Sequence, residues 1–339
     1  LAEEDSFTEG TDIIVPRLES LEKDITIAEF FKKFFIDPLY ENLISEVRGY
    51  VEGYDAGDIN RASAFALLKE WGSGEEGMQY RPVDGYGPMI EFLEKEIEKN
   101  NGKIQLETVI DKITWNKDLI TAHTGNSDFS ASLIILTIPL GILQSENSGA
   151  GIMLPDLPAL YKNALQQLGY GSVIKIVFEF ETAVWEKTIV ENADGKNLAN
   201  LGWLFSKERI PTWWTQAPAK IPMITGWLAG PNALALAQTD DSGIIEIGIS
   251  SLANILKLEP LALQKKLVAS EVFNWTADPY TAGAYAFSTP GTSAALAVLK
   301  NPVEERLYFA GEAFHDGPQM GTVEGALASG VETAKLILK

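Results

Sequence analysis

The chain contains no cysteine, which excludes disulfides, zinc thiolate sites and cysteine nucleophiles while leaving the redox compartment open. It has 2 histidines, His123 and His315, too few for a histidine-rich metal site, and no metal is expected. No apolar run reaches the roughly 18 residues that a membrane-spanning helix needs, so no membrane span is expected. Positive charge is scarce: 27 Lys and Arg stand against 47 Asp and Glu, a formal net charge of −20. That balance argues against nucleic acid or an anionic membrane as partner. It is read as acidic solubility or as an attraction for cationic small molecules. No leader-like stretch opens the sequence at Leu1. A soluble protein is expected, its compartment unassigned and the cytoplasm slightly favoured.

What is present points to a large α/β core. With 339 residues and 46% hydrophobic content, the length prior favours two domains. Residues 24–47, "DITIAEFFKKFFIDPLYENLISEV", carry apolar residues at helical spacing with Pro38 interrupting, which predicts two helical segments. "NRASAFALLKEW" (60–71) reads as a short helix, and "GPMIEFLEKEIEKNNG" (87–102) as an amphipathic one stopped by Asn-Asn-Gly. Three strand-like runs follow, "KIQLETVIDKITWN", "LITAHT" and "SLIILTIPL". The last is continuously apolar, as a strand buried on both faces should be. "LPALYKNALQQLG" and "SGIIEIGISSLANILKL" are predicted helices, and "GSVIKIVFEF" (171–180) and "PMITGWLAG" (222–230) strands. "PLALQKKLVASEVF" reads as helix until Val272-Phe273, and "GAYAF" (283–287) as a short strand.

"GSGEEG" (72–77) matches the G-x-G-x-x-G pattern but is rejected as a dinucleotide fingerprint. A helical stretch precedes it where a strand is required, and Glu75 and Glu76 would face a pyrophosphate.

Three clusters could carry chemistry. In "GSVIKIVFEF" alternation puts Val173, Lys175, Val177 and Glu179 on one face, so Lys175 is a solvated edge charge or an amine held in a pocket. In "NWTADPYTAGAYAF" (274–287), Trp275, Tyr280 and Tyr285 recur on an irregular segment; such aromatics form ordinary core or a cage for a ring or an amine. "LYFAGEAFHDGPQMGTVEGALASG" (307–330) reads as strand, glycine-rich loop and helix. There Gly311-Glu312 ends the strand and Thr322 is a good N-cap.

"TIPLGIL" (137–143), "GSVIKIVFEF", "WTADPYTAGAY" and "LYFAGE…GTVEGALASG", in this order, resemble the FAD-dependent amine oxidase family of monoamine, polyamine and L-amino acid oxidases and flavin histone demethylases. The resemblance implies a mixed α/β fold in which an incomplete FAD-binding domain of the glutathione-reductase-like type is interleaved with a sheet-plus-helices substrate domain. The expected boundaries are 1–80 for the helical part of the substrate domain and 81–145 for an FAD-binding segment. Residues 146–290 are then the rest of the substrate domain, and 291–339 the closing FAD-binding segment.

By the same resemblance Lys175 matches the lysine that holds a water beside flavin N5. Trp275 and Tyr280 match aromatics flanking the isoalloxazine, and Tyr285 matches one wall of the aromatic cage. Glu312, following Gly311, matches the carboxylate for flavin or ribityl hydroxyls. Thr322 and Val323 match the helix start aimed at the flavin pyrimidine, and Ile110 the position whose backbone contacts adenine. Thr322 stands where monoamine oxidases have a second cage tyrosine, which leaves the cage one aromatic wall. Those enzymes attach FAD through cysteine, so noncovalent FAD is expected here.

The implied activity is hydride transfer from an amine carbon to flavin N5, imine hydrolysis, and reoxidation by O2 to hydrogen peroxide. The implied partners are a small-molecule amine and O2. The family's opening βαβ unit with its G-x-G-x-x-G is not found, so a separate N-terminal segment carrying that motif is an expected partner. The competing expectations are a non-catalytic or apo fragment acting as a binding module, or a related flavin desaturase or L-amino acid oxidase.

Overall fold

A computed structural model describes residues 2–72, 82, 85–116, 119–145, 153–186 and 198–339; most of "GSGEEG" lies outside the described residues. The chain opens with four helices, α1 (Ala2–Glu19), α2 (Ile27–Phe34), α3 (Glu41–Gly53) and α4 (Ala64–Gly72). Thr26 and Glu29 form a capping box at the start of α2, each side chain accepting the other's backbone N–H. Pro38 sits at the first position of a 3-10 turn capped by Asp37, and that turn separates α2 from α3 as the sequence predicts. Ile14 and Leu18 of α1 meet Phe30, Phe31, Val51 and Leu67 in one buried cluster. Each such side chain contributes roughly 2 kcal/mol on burial. The sequence does not predict the helix over 2–19, and Pro16 lies inside it.

Next come α5 (Gly87–Lys99) and an antiparallel meander of β1 (Ile110–Trp115), β2 (Ile120–Thr124) and β3 (Asp128–Ala131). β4 (Ile134–Leu136) pairs in parallel with Leu307–Phe309 near the other end of the chain. The expectation of a strand buried on both faces is corrected here. β4 spans only three residues, with Leu136 buried and Ile135 40% exposed, because alternation turns the two side chains to opposite faces.

After α6 (Leu140–Gln144), α7 (Ala159–Gln167) and β5 (Gly169–Tyr170) comes the main sheet. It is built from β6 (Val173–Phe180), β7 (Trp203–Phe205), β8 (Thr212–Thr215), β9 (Met223–Ala229) and β10 (Leu267–Asn274). These are antiparallel neighbours in the order β10-β6-β9-β8-β7. Between β9 and β10 lie α8 (Gly230–Leu234), α9 (Asp241–Leu256) and α10 (Pro260–Gln264). Ile174, Ile176, Phe178, Trp213 and Ile224 pack one sheet face onto Ile244, Leu252 and Leu256 of α9. A Cβ on Gly248 of α9 would stand 3.0 Å from both Ile176 and Phe178, so glycine permits this close approach. The predicted helix over "PLALQKKLVASEVF" is also corrected. Only Pro260–Gln264 is helical, and the strand begins at Leu267, where pairing with β6 overrides the local helix preference of Leu, Ala and Lys.

β11 (Ala286–Phe287), α11 (Thr292–Leu299), β12 (Leu307–Phe309) and α12 (Val323–Ile337) complete the chain. Leu136, Leu140, Leu165, Leu296, Leu307 and Phe309 form the core beneath the parallel β4–β12 pair. Among the described residues no helix is long and apolar enough to cross a membrane.

Candidate active site

Strand register puts Lys175 between two aromatic side chains. In β6 it lies opposite Trp227 of β9 and Phe273 of β10, all three on the sheet face away from α9. Its Nζ stands 5.8 Å from the Phe273 ring centroid. Among the described residues the amine faces no carboxylate. The same face continues with Trp214 and Trp203, whose ring centroids lie 5.9 Å from Trp227 and 5.0 Å from each other, respectively. Phe273 stacks on Trp275 at 6.2 Å on the other side.

The irregular segment 275–285 is held by specific hydrogen bonds. Thr281 Oγ1 donates to Trp275 O at 2.6 Å, Gly283 N–H to the same oxygen at 3.1 Å, and Tyr280 N–H to Asp278 Oδ1 at 2.8 Å. Gly283 has φ +150°, and a Cβ there would meet the Tyr170 ring at 2.2 Å, so both conformation and space demand glycine. Trp275 and Tyr280 keep 41% and 59% of their surface exposed, leaving ring faces open. Tyr285 is tied more tightly. Its backbone O accepts from Gly171 N–H, its side chain packs on the buried cluster of Ala56, Val173 and Ala229, and its hydroxyl donates to Tyr54 O. Burial, with the Asp55 charge nearby, pushes its phenol well above the ordinary range.

The closing segment joins this group through Glu312. Its Oε2 accepts from Ala286 N–H at 3.1 Å, and Gly321 N–H donates to the Glu312 backbone O at 3.5 Å. Burial outweighs the favourable pull of the Ala286 and Gly321 N–H dipoles and pushes the carboxyl up to about 7. Gly321 has φ +82°, and a Cβ there would lie 2.7 Å from Ala286 O, so the loop backbone runs directly beneath the Tyr285 segment. Thr322 caps α12 as expected: Oγ1 accepts from Gly325 N–H and donates to Gln319 O. The first N–H groups of α12 have no helical acceptor, and the positive end of its dipole lies there. Gly311 adopts φ +140°, and its N–H donates to Ser329 Oγ at 3.2 Å.

The fold thus links Lys175, Trp275, Tyr285, Gly311, Glu312 and Thr322 by a continuous set of contacts, with Tyr280 and Val323 on the same connecting segments. Ile110 stands apart. It begins β1 opposite Thr124, packs on the core beneath β12, and borders a groove lined by Val109, Asp111, Asn126 and Phe129. Trp227, Tyr54 and Asp55 were not singled out in the sequence. Trp227 Nε1 donates to Gly53 O at 2.8 Å, so the site's aromatics clamp the turn 53–55 on both sides. The signal available was "GYVEGYD" (49–55), two tyrosines one helical turn apart ahead of an aspartate.

Open aromatic faces, a helix N-terminus and a close glycine backbone suit a flat ring carrying negative charge at one edge. A family model described as flavin containing amine oxidoreductase matches residues 5–338. The chain belongs to that family. Among similar proteins, polyamine oxidase 4 of Oryza sativa subsp. japonica is 28% identical over 84% of the chain and 54% of its own length. Lysine-specific histone demethylase 1 homolog 3 of Arabidopsis thaliana is 26% identical over 91% of the chain and 19% of its own length. The chain therefore spans about half or less of the curated relatives it matches. Cyclohexylamine oxidase from Brevibacterium oxydans IH-35A shares the fold, with a TM-score of 0.69 at 16% identity, covering 98% of this chain and 74% of that one.

Proposed function

We propose that the chain forms the substrate side and the closing cofactor segment of a flavin-dependent amine oxidase. The observation that carries this reading is the shared platform of Lys175, Trp275 and Tyr285, joined through Glu312 to the N-terminus of α12. In this assignment the cofactor is FAD, bound without a cysteine thioether link, for which the chain has no cysteine. Residues 81–145 and 291–339 belong to the cofactor side, 1–80 and 146–290 to the substrate side. A separate dinucleotide-binding segment supplies the pyrophosphate loop.

Bound flavin supplies the two-electron acceptor for the amine C–H bond. Trp275 and Tyr280 would flank the ring, while the Val323 N–H at the Thr322-capped start of α12 would face its electron-rich edge. Glu312 holds Ala286 through its carboxyl and Gly321 through its backbone O; the remaining lone pairs of the carboxyl suit a ribityl hydroxyl. Ile110 offers its backbone to the adenine. The Tyr285 ring, immobilised through Tyr54, walls the amine and excludes water from one side. Lys175 Nζ donates to a water, positioning it for proton transfer and imine hydrolysis.

A peroxide-coupled assay of the protein supplied with FAD, across linear mono- and diamines, tests the reading. Peroxide release with at least one amine is expected. Bound flavin without peroxide from any amine would mark the chain as a non-catalytic module.

A further inference from the structure

The helices that open the chain border a groove of about 660 Å³ that the amine site does not use. α2 supplies Ala28, Phe31 and Phe35 at helical spacing, and α3 supplies Ile44. Ile59 closes one end, where its O accepts from Ala28 N–H at 2.9 Å. Phe31, Phe35 and Ile59 are buried, whereas Ile36 at the other end is 81% exposed. Ile44, Arg48 and Glu52 stand one turn apart, so the groove runs about 12 Å along α3.

Two cations stand on its rim. Lys32 of α2 and Arg48 of α3 are exposed, and neither has an ion-pair partner among the described residues. Glu29, one turn before Lys32, is turned to the Thr26 N–H instead. Glu52 is the acid among the described lining residues. Burial pushes its carboxyl above the ordinary range, against the pull of Arg48 and with the Asp58 charge adding to it. Asp58 itself is engaged by the backbone N–H and side-chain amide of Asn60. Even fully ionised, Glu52 balances one rim cation and leaves the other. A positive, apolar groove is thus set into a chain of net charge −20. Acids elsewhere act across screened distances, since the Debye length at physiological ionic strength is about 8 Å.

Size and charge define the occupant. The volume is that of a small-molecule site, and apolar walls with a few polar groups suit a ligand that is mostly hydrocarbon. Laying such a chain against Phe31, Phe35 and Ile44 removes apolar surface from water on both sides. One positive charge in excess matches one negative charge on the ligand. An arginine fork grips both oxygens of a carboxylate, and a lysine adds a point charge beside it. A phosphate dianion would leave a negative charge unmatched in the half-buried space beside Glu52.

We propose that the groove between α2 and α3 binds an amphiphile with a single carboxylate on an acyl chain. Lys32 and Arg48 hold the carboxylate, and the chain lies over Phe31, Phe35 and Ile44 towards Ile36. The groove shares no lining residue with the platform of Lys175, Trp275 and Tyr285. It is therefore a second site, independent of whether an amine is oxidised at the first.

Isothermal titration of the full chain at about physiological ionic strength provides the test. Decanoate is expected to bind once per chain, at least about tenfold more tightly than decanol, the same chain without the charge. Hexanoate, the same charge on a shorter chain, should bind at least about tenfold more weakly than decanoate. Arg48→Met and Lys32→Met change exposed helix positions, and each is checked by circular dichroism against the parent. Each should weaken decanoate about tenfold and leave decanol unchanged. Lys175→Met should leave decanoate binding as it is. Equal affinity for decanoate and decanol, or decanoate binding untouched in both rim variants, would overturn the proposal. So would uptake of several decanoates per chain, or a loss confined to Lys175→Met, which would seat the anion on the sheet face instead.

Discussion

Glu312→Gln separates the cost of the buried carboxyl from the bonds it makes. The group ionises at about 7 in the folded chain against an ordinary 4.5, because burial disfavours the charged form. Its protonated form is therefore the one that folding favours. Any stabilisation from this group is fully present below pH 4.5, fades between 4.5 and about 7, and is gone above that. Holding the ionised group in place at higher pH costs about 3 kcal/mol. Glutamine removes that cost and keeps a carbonyl acceptor for Ala286 N–H, while its NH2 replaces an oxygen favoured by the nearby Gly321 N–H dipole, a loss of about 1 kcal/mol. The variant should thus be more stable than the parent by about 2 kcal/mol at about pH 8, and equal or slightly weaker at about pH 5. Urea unfolding followed by tryptophan fluorescence at the two pH values measures both. A difference between variant and parent that does not change with pH would refute the assignment of a raised carboxyl at Glu312.

Three further outcomes are expected. Gly226→Ala places a methyl 2.7 Å from the Trp213 ring, and the urea midpoint should fall by an amount equivalent to roughly 1–3 kcal/mol. Thr322→Ala removes the cap on Gly325 N–H and should cost about 1 kcal/mol in the same measurement. It should also weaken flavin binding measured by fluorescence quenching. Lys175→Met lies on the half-buried face of β6, so stability should hold while amine-driven flavin reduction slows by about 10²-fold in stopped flow. An unchanged reduction rate would show that Lys175 is only a sheet-face charge.

What the sequence made legible was local. Ala64–Gly72 and Gly87–Lys99 form helices within the predicted stretches 60–71 and 87–102 because their apolar spacing acts within a few residues. The alternation in 171–180 marks the two faces of β6 because one of them is fully packed on α9. The elements that escaped depend on distant partners. Leu267–Asn274 has the composition of a helix and becomes a strand through its register with β6. Trp203–Phe205 and Thr212–Thr215 are too short to show a period, and α1 carries Gly10 and Pro16 yet is fixed by the burial of Ile14 and Leu18.

The site divides in the same way. Lys175, Trp275, Tyr285, Glu312 and Thr322 stand out as residues in recognisable surroundings. The turn after α3 is placed only by Trp227 and Tyr285, whose bonds to Gly53 and Tyr54 span 174 and 231 residues of chain.

The central claim is that this site passes electrons from an amine to a flavin. The most direct measurement is the visible spectrum of the FAD-supplied protein under anaerobic conditions as spermidine is added. The account predicts stoichiometric bleaching of the bound flavin and recovery of its colour when O2 is admitted. A flavin that is bound, shown by its altered fluorescence, and that stays oxidised with spermidine and every other amine tried would contradict it.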